Sequence, residues 1–281
     1  MSIKMKNLIT RSLSGIVYVA LIVGAILCGN IYFTVLMAAF ILLGMLEFQH
    51  ITMRGHSGAN KAARILDIIA AVGLCCLPAV CEYDFDCSLS LIFYLMIYPV
   101  FRFIAALYDK SAAALRDTAM SLMSVAYIGL GIGMFNAGYI FLTTESKTLA
   151  LAMFVMIWLN DTGAFCVGSL IGKRRLFERL SPKKSWEGFF GGLAFCVLAG
   201  YLCSAWLHLP VFNTAEWMLY GVVVCIFATV GDLFESLIKR THGIKDSGKL
   251  IPGHGGILDR IDSLLFVAPA TFVFLLLAGL F

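Results

Sequence analysis

The chain has 281 residues, of which 60% are hydrophobic and only 14% charged. Soluble domains carry about 25% charged residues, so a water-solvated globule is excluded and lipid is the expected solvent for most of the surface. The net charge of +4 is modest. It points to no nucleic-acid partner, and the placement of the charges is more telling than their sum.

Nine apolar stretches are long enough to cross a bilayer, at roughly 12–28, 31–49, 65–80, 89–108, 119–142, 148–171, 188–208, 216–238 and 263–281. The first follows Lys4, Lys6 and Arg11, as in a signal peptide. It is long for such a segment, however, and no small-x-small cleavage site follows, so it reads as an uncleaved span. Gly29-Asn30 marks a tight turn between the first two spans. The third span is short and begins near Asp67. Gly129, Gly131, Gly133 and Gly138 in the fifth point to close helix packing. In lipid each span must be helical, because only a helix satisfies its own backbone hydrogen bonds. The expected fold is an all-α, polytopic membrane protein of about nine helices, forming one integral membrane domain over residues 1–281.

Charge segregation supports this threading. With nine spans, 20 of the 21 Lys and Arg residues fall in loops on one side, leaving only Lys147 on the other. Arg102, Lys110 and Arg116 count among the 20, near the end of span four. The positive-inside rule then puts the N-terminus in the cytoplasm and Phe281 outside. The nine cysteines include no CxxC pair and no zinc spacing. Cys81 and Cys87 flank a short acidic segment, which leaves a disulfide or two thiols open. His50, His56 and His208 lie near span ends.

The richest stretch runs from Gly231 to Asp262, GDLFESLIKRTHGIKDSGKLIPGHGGILDRID. Asp232, Glu235, Ser236 and Lys239 share one helical face at the end of span eight. Asp259 and Asp262 stand three apart where span nine begins. Between them lie Gly243, Gly248, Gly253, Gly255 and Gly256, with Pro252 and His254. Glycines let a backbone come close to a bulky anion. Carboxylates with Lys and Arg beside such a loop suit a Mg²⁺–phosphate site. Ionisable groups abutting two apolar spans favour a functional site over a solvated loop.

This stretch resembles the signature of the phosphatidate cytidylyltransferases, or CDP-diacylglycerol synthases. The matching positions are Ser236, Ile238, Lys239, Arg240, Lys245, Asp246, Gly248, Ile251, Pro252, His254, Gly255, Gly256, Ile257, Asp259, Arg260, Ile261 and Asp262. Two further segments are similar to the same family, Trp158–Phe165 with Asp161, and Ser181–Gly188 with Lys183, Lys184 and Glu187. The catalytic signature is thus expected in 231–262, with contributions from 158–188.

The resemblance implies an enzyme of phospholipid biosynthesis that condenses CTP with phosphatidic acid, giving CDP-diacylglycerol and pyrophosphate. It implies Mg²⁺, with a second cation such as K⁺ left open, a multi-pass place in the cell inner membrane, and a homodimer. Asp232 and Asp259 are assigned as metal ligands, with Asp161, Asp246 and Asp262 as ligands or their supports. Lys183, Lys184, Lys239, Arg240, Lys245 and Arg260 are assigned to phosphates. Ser236, Gly255 and Gly256 are assigned to substrate binding. His254 either orients a phosphate oxygen or braces the glycine loop. The rival readings are a CTP-dependent lipid kinase and a membrane transporter in which Asp161 and Asp232 line an ion path.

Overall fold

The computed structural model describes residues 3–52, 59–81, 87–141, 145–207, 212–251, 253 and 255–279. His56, Pro252, His208 and His254, and the side chains of Cys81 and Cys87, lie outside the described residues. The long elements are all helices: α1 (Ile3–Cys28), α2 (Asn30–Thr52), α3 (Ala59–Cys81), α4 (Cys87–Leu107), α5 (Ala114–Ser124), α6 (Gly131–Phe141), α7 (Ser146–Ile171), α8 (Trp186–Leu207), α9 (Thr214–Thr241) and α10 (Leu258–Leu277). A π-helical segment, Val125–Leu130, joins α5 to α6 without a break. Gly29 adopts φ +112° between α1 and α2, as the tight turn there requires.

Among the described residues, seven helical stretches are long and apolar enough to cross a membrane. Shorter apolar runs, Ser12–Cys28 and Met96–Leu107, lie in α1 and α4. The chain is therefore an all-helical, multi-pass membrane protein in its coarse architecture. One departure from pure helix lies in the basic segment after α7, which the sequence reads as a loop. Strands β1 (Arg175–Phe177) and β2 (Ser181–Ser185) pair there as an antiparallel hairpin, Arg175 opposite Ser185 and Phe177 opposite Ser181. A strand of three residues is too short to carry a periodic signal.

The described chain divides into two compact units, one of Met1–Ile140 with Asp246–Arg260, the other of Phe141–Lys245 with Ile261–Phe281. In the first, the interior of α2 is apolar, with Phe33, Met37, Ile41, Met45 and Phe48 fully buried. The π segment and α6 press onto α3 through small residues. A Cβ on Gly129 would stand 2.8 Å from Ala71, and one on Gly133 3.0 Å from the Leu74 carbonyl oxygen. The expectation of close packing by these glycines is met, and without side chains in the way the backbones approach closely.

The same unit buries a charged network. Asp67 of α3 is fully buried and Arg102 of α4 is 5% exposed. Arg102 Nε lies 3.1 Å from Asp67 Oδ1. Tyr98 donates to the same oxygen at 2.9 Å, and Arg102 Nη2 donates to Ser121 Oγ at 2.5 Å. Arg102 is therefore not the loop charge that the sequence suggests. It sits inside α4 because a carboxylate on the neighbouring helix neutralises it. A second polar link joins α2, α3 and α6, where Asn136 donates to the Cys75 carbonyl at 2.8 Å and to Thr34 Oγ1 at 3.1 Å.

In the second unit, α7, α8 and α9 pack through glycines. A Cβ on Gly191 would stand 2.5 Å from Val167, and one on Gly188 2.9 Å from the Ala164 carbonyl oxygen. Helix α9 starts at a capping box. Asn213 Oδ1 accepts from the Glu216 N–H at 3.0 Å and Glu216 Oε2 accepts from the Asn213 N–H at 2.8 Å. It ends with Lys239 and Arg240 in the last turn, where cations complement the helix dipole.

Removing one partner of the Asp67–Arg102 pair strands a buried charge. Arg102→Leu should cost about 3–5 kcal/mol, and the double variant Asp67→Leu/Arg102→Leu should recover most of that loss. Denaturant melts of the purified protein in detergent check this. A single variant as stable as wild type would show that the pair is not buried as described.

Candidate functional site

The site of the second unit begins with how α9 meets α10. A Cβ on Gly231 would stand 2.5 Å from the Asp262 carbonyl oxygen. Ser263 Oγ donates to the Ala228 carbonyl at 3.3 Å. With nothing larger than hydrogen at 231, the two helices approach closely and the neighbouring side chains, Asp232 and Asp262, converge. Glu235, one turn along α9, completes the group. Asp232, Glu235 and Asp262 each offer a carboxylate oxygen, all within 4.8 Å of one another.

Cations hold these acids together. Lys184 Nζ, from β2, lies 2.5 Å from Asp232 Oδ2. Lys239 pairs with Glu235 one turn away on α9, and the Glu235 side chain is only 1% exposed. Ser236 Oγ donates to Asp232 Oδ1 at 3.4 Å. Asp161 and Lys184 add to the field around Asp262, which is half-buried.

Beside the acids opens a cavity of about 500 Å³, whose lining includes Asn160, Asp161, Phe165, Lys183, Lys184 and Asp232. That size is ordinary for a small-molecule site. Its wall combines two aromatic rings, two ammonium groups, the Arg175 guanidinium and two carboxylates, a lining suited to a phosphate-bearing molecule with an apolar portion.

The hairpin that delivers Lys183 and Lys184 is anchored by its own sequence. Ser185 Oγ accepts from the Gly188 N–H at 3.1 Å, an N-cap for α8. Glu187 reaches back across the hairpin, Oε2 accepting from the Lys173 N–H at 3.1 Å and Oε1 from the Arg174 N–H at 3.2 Å. The Trp186 N–H donates to the Arg174 carbonyl at 2.9 Å. Arg240, expected to bind phosphate, braces this region. Its Nε donates to the Leu180 carbonyl at 3.4 Å and its Nη1 to the Ile244 carbonyl at 3.1 Å. Lys183 and Lys245 are exposed.

Asp246, Gly248, Gly255, Gly256, Asp259 and Arg260 belong to the first unit. Asp246 and Arg260 are exposed there. Asp259 Oδ2 accepts from the Ser247 N–H at 2.9 Å and the Gly256 N–H at 2.9 Å, and lies 3.0 Å from Ser247 Oγ. Gly253 and Gly255 adopt φ +76° and +84° in this loop. The anions to which its glycines lie close are the protein's own carboxylates. A Cβ on Gly248 would stand 2.5 Å from Glu47 Oε1, one on Gly256 would overlap the Glu47 carboxylate and the Ser247 hydroxyl, and one on Gly255 would overlap Asp259.

Of the residues singled out in the sequence, Asp232 and Asp262 therefore meet in one cluster, with Asp161, Lys183 and Lys184 around the adjoining recess. The sequence marks Glu235 only as part of a helical face, although its spacing from Asp232 carries the signal. Asn160, 4% exposed, lines the recess beside Asp161. Nothing in the sequence local to span two marks Glu47. Three carboxylate oxygens on two helices form a donor set that fits a hard divalent cation.

The sequence model of the Cytidylyltransferase family matches residues 9–278. A protein of Staphylococcus aureus (strain COL) named phosphatidate cytidylyltransferase is 36% identical over 270 residues, covering 92% of this chain and 95% of its own. Proteins of the same name are 42% identical over 161 residues in Staphylococcus epidermidis (strain ATCC 35984) and 43% identical over 165 residues in Staphylococcus haemolyticus (strain JCSC1435), each match covering 57% of this chain and 60% of the relative.

Glu187→Ala removes the acceptor for two backbone N–H groups at the root of the hairpin. These two bonds close the root of the hairpin, so tryptic cleavage within residues 173–184 should quicken by about severalfold. An unchanged cleavage rate would mean that Glu187 does not hold the hairpin closed.

Proposed function

The chain belongs to the cytidylyltransferase family, and from that premise we propose that it condenses CTP with phosphatidic acid, giving CDP-diacylglycerol and pyrophosphate. A phosphate oxygen of phosphatidic acid attacks the α-phosphorus of CTP. The new P–O bond forms as the bond to the β-phosphate's bridging oxygen breaks, and pyrophosphate departs with that electron pair. The nucleophile is already an anion and needs little help from a base. The barrier lies in bringing two polyanions together and supporting the leaving group.

The observation that carries this reading is the trio Asp232, Glu235 and Asp262 beside a recess lined by Lys183 and Lys184. The lysines would offset phosphate charge and orient the reacting groups. The trio, with Asp161 nearby, would hold Mg²⁺. That ion, when bound, supplies charge neutralisation at the phosphates. Asp259 enters the proposal as the brace of the glycine loop, and Asp246, Lys245 and Arg260 as exposed groups available to phosphates.

The reactants fix the setting. Phosphatidic acid keeps its acyl chains in the bilayer and its headgroup at the surface, whereas CTP arrives from water. We place the site at the cytoplasmic face of the cell inner membrane, with nine spans, the N-terminus inside and Phe281 outside. The support is the one-sided distribution of Lys and Arg and the apolar runs in α1 and α4 that accompany the seven longer spans. We propose a homodimer on the family resemblance alone.

Three outcomes are expected with purified protein, phosphatidic acid, CTP and Mg²⁺. Label at the α-phosphate of CTP should enter the lipid; γ-label in the lipid would instead mark a kinase. Asp232→Asn should lower kcat by about a hundredfold or more, as loss of a preorganised electrostatic group does, and near-normal turnover would reject its role. Lys184→Ala should raise KM for at least one substrate, and unchanged KM for both would leave the hairpin without a binding function.

A further inference from the structure

Glu47 lies in α2, 200 residues from the signature loop, and is the one acidic residue of a largely apolar span. A carboxylate in such a helix is costly unless its charge is met. Here three donors meet it. The Ile257 N–H donates to Oε1 at 2.9 Å, the Leu258 N–H to Oε2 at 2.9 Å, and Ser247 Oγ to Oε2 at 2.9 Å. Leu258 opens α10, so its N–H is among those that a helix leaves without an internal partner, at the end where the dipole favours an anion. A cap normally comes from the residue just before the helix. This one is supplied by a different helix.

The contacts extend beyond a cap. Ser247 Oγ stands between two carboxylates, 2.9 Å from Glu47 Oε2 and 3.0 Å from Asp259 Oδ2. Gly248 and Gly256 leave no space for a side chain beside Glu47. Both ends of the described loop are thereby tied to one side chain, the Ser247–Gly248 end through the hydroxyl and the Gly256–Leu258 end through backbone N–H groups. On either flank of those ties stand Asp246 and Arg260, both exposed.

We propose that Glu47 is a positioning residue for cytidylyl transfer, holding the glycine loop and the first turn of α10 in the geometry in which Asp246 and Arg260 engage phosphate. The proposal rests on the functional reading above. It explains why glycine is needed at 248 and 256 without requiring a substrate phosphate at either. Glu47→Gln keeps the size of the side chain but removes its charge and replaces one acceptor oxygen with a donor. Gly256→Ala disturbs the same contact from the other side.

The test uses the full-length protein in detergent with both single variants and the double variant. Amide hydrogen exchange is measured alongside kcat and the two KM values. Glu47→Gln should speed exchange at Ser247, Gly256, Ile257 and Leu258 by about tenfold, leave the Asn213–Glu216 cap unchanged, and lower kcat by about tenfold or more with the melting temperature nearly kept. The double variant should be no slower than the worse single one, because both remove one contact. Unchanged exchange in both single variants overturns the clamp. Faster exchange with wild-type kcat and KM overturns the positioning role and leaves a helix cap. A wild-type chain that makes no CDP-diacylglycerol overturns the functional reading itself, a result distinct from an active wild type with an indifferent Glu47→Gln.

Discussion

Three carboxylates held within 4.8 Å in a helical bundle repel one another, and that repulsion sets the terms for the second unit. Charges at such distances in a partly buried setting still repel one another appreciably. Two lysines answer part of it, Lys184 against Asp232 and Lys239 against Glu235. Counted as fully ionised, the five groups carry one negative charge in excess, and a divalent cation would reverse that sign. A site that turns positive on binding a metal is suited to drawing two polyphosphorylated anions together.

The acids can converge only because the backbones do. Gly231 lets α9 close onto the Asp262 carbonyl, so Asp232 and Asp262 face a common point although 30 residues separate them in sequence. The charged segments that border the spans are fixed by a different device. In each unit a glutamate accepts backbone N–H groups from a loop rich in basic or glycine residues. Glu187 takes those of Lys173 and Arg174, and Glu47 takes those of Ile257 and Leu258. Carboxylates aimed at backbone donors give strong, directional ties that the side chains of a loop exposed to water could not provide.

Much of this was legible in the sequence. The apolar runs carry the helical, multi-pass architecture, because lipid leaves the backbone no other way to satisfy itself. The spacing of Asp232, Glu235 and Lys239 displays their common face. Other parts were not legible, for physical reasons. Arg102 reads as a topology charge, because its partner Asp67 lies 35 residues away and only the packing of α3 on α4 unites them. The hairpin at Arg175–Ser185 is too short for periodicity and depends on Glu187 and Arg240 from outside its strands. Glu47 is one acid in an apolar run, and its meaning arises only from a loop two hundred residues later. Asp259 looks like a ligand in the signature, and only the folded loop shows that its Oδ2 also accepts the Ser247 and Gly256 N–H groups.

The most direct measurement is anomalous diffraction from crystals grown with Mn²⁺ in place of Mg²⁺. The account predicts a single strong peak about 2.0–2.2 Å from one oxygen each of Asp232, Glu235 and Asp262, distances typical of small divalent cations on carboxylates. A peak elsewhere in the chain, with none at these three oxygens while Mn²⁺ supports turnover, would contradict it.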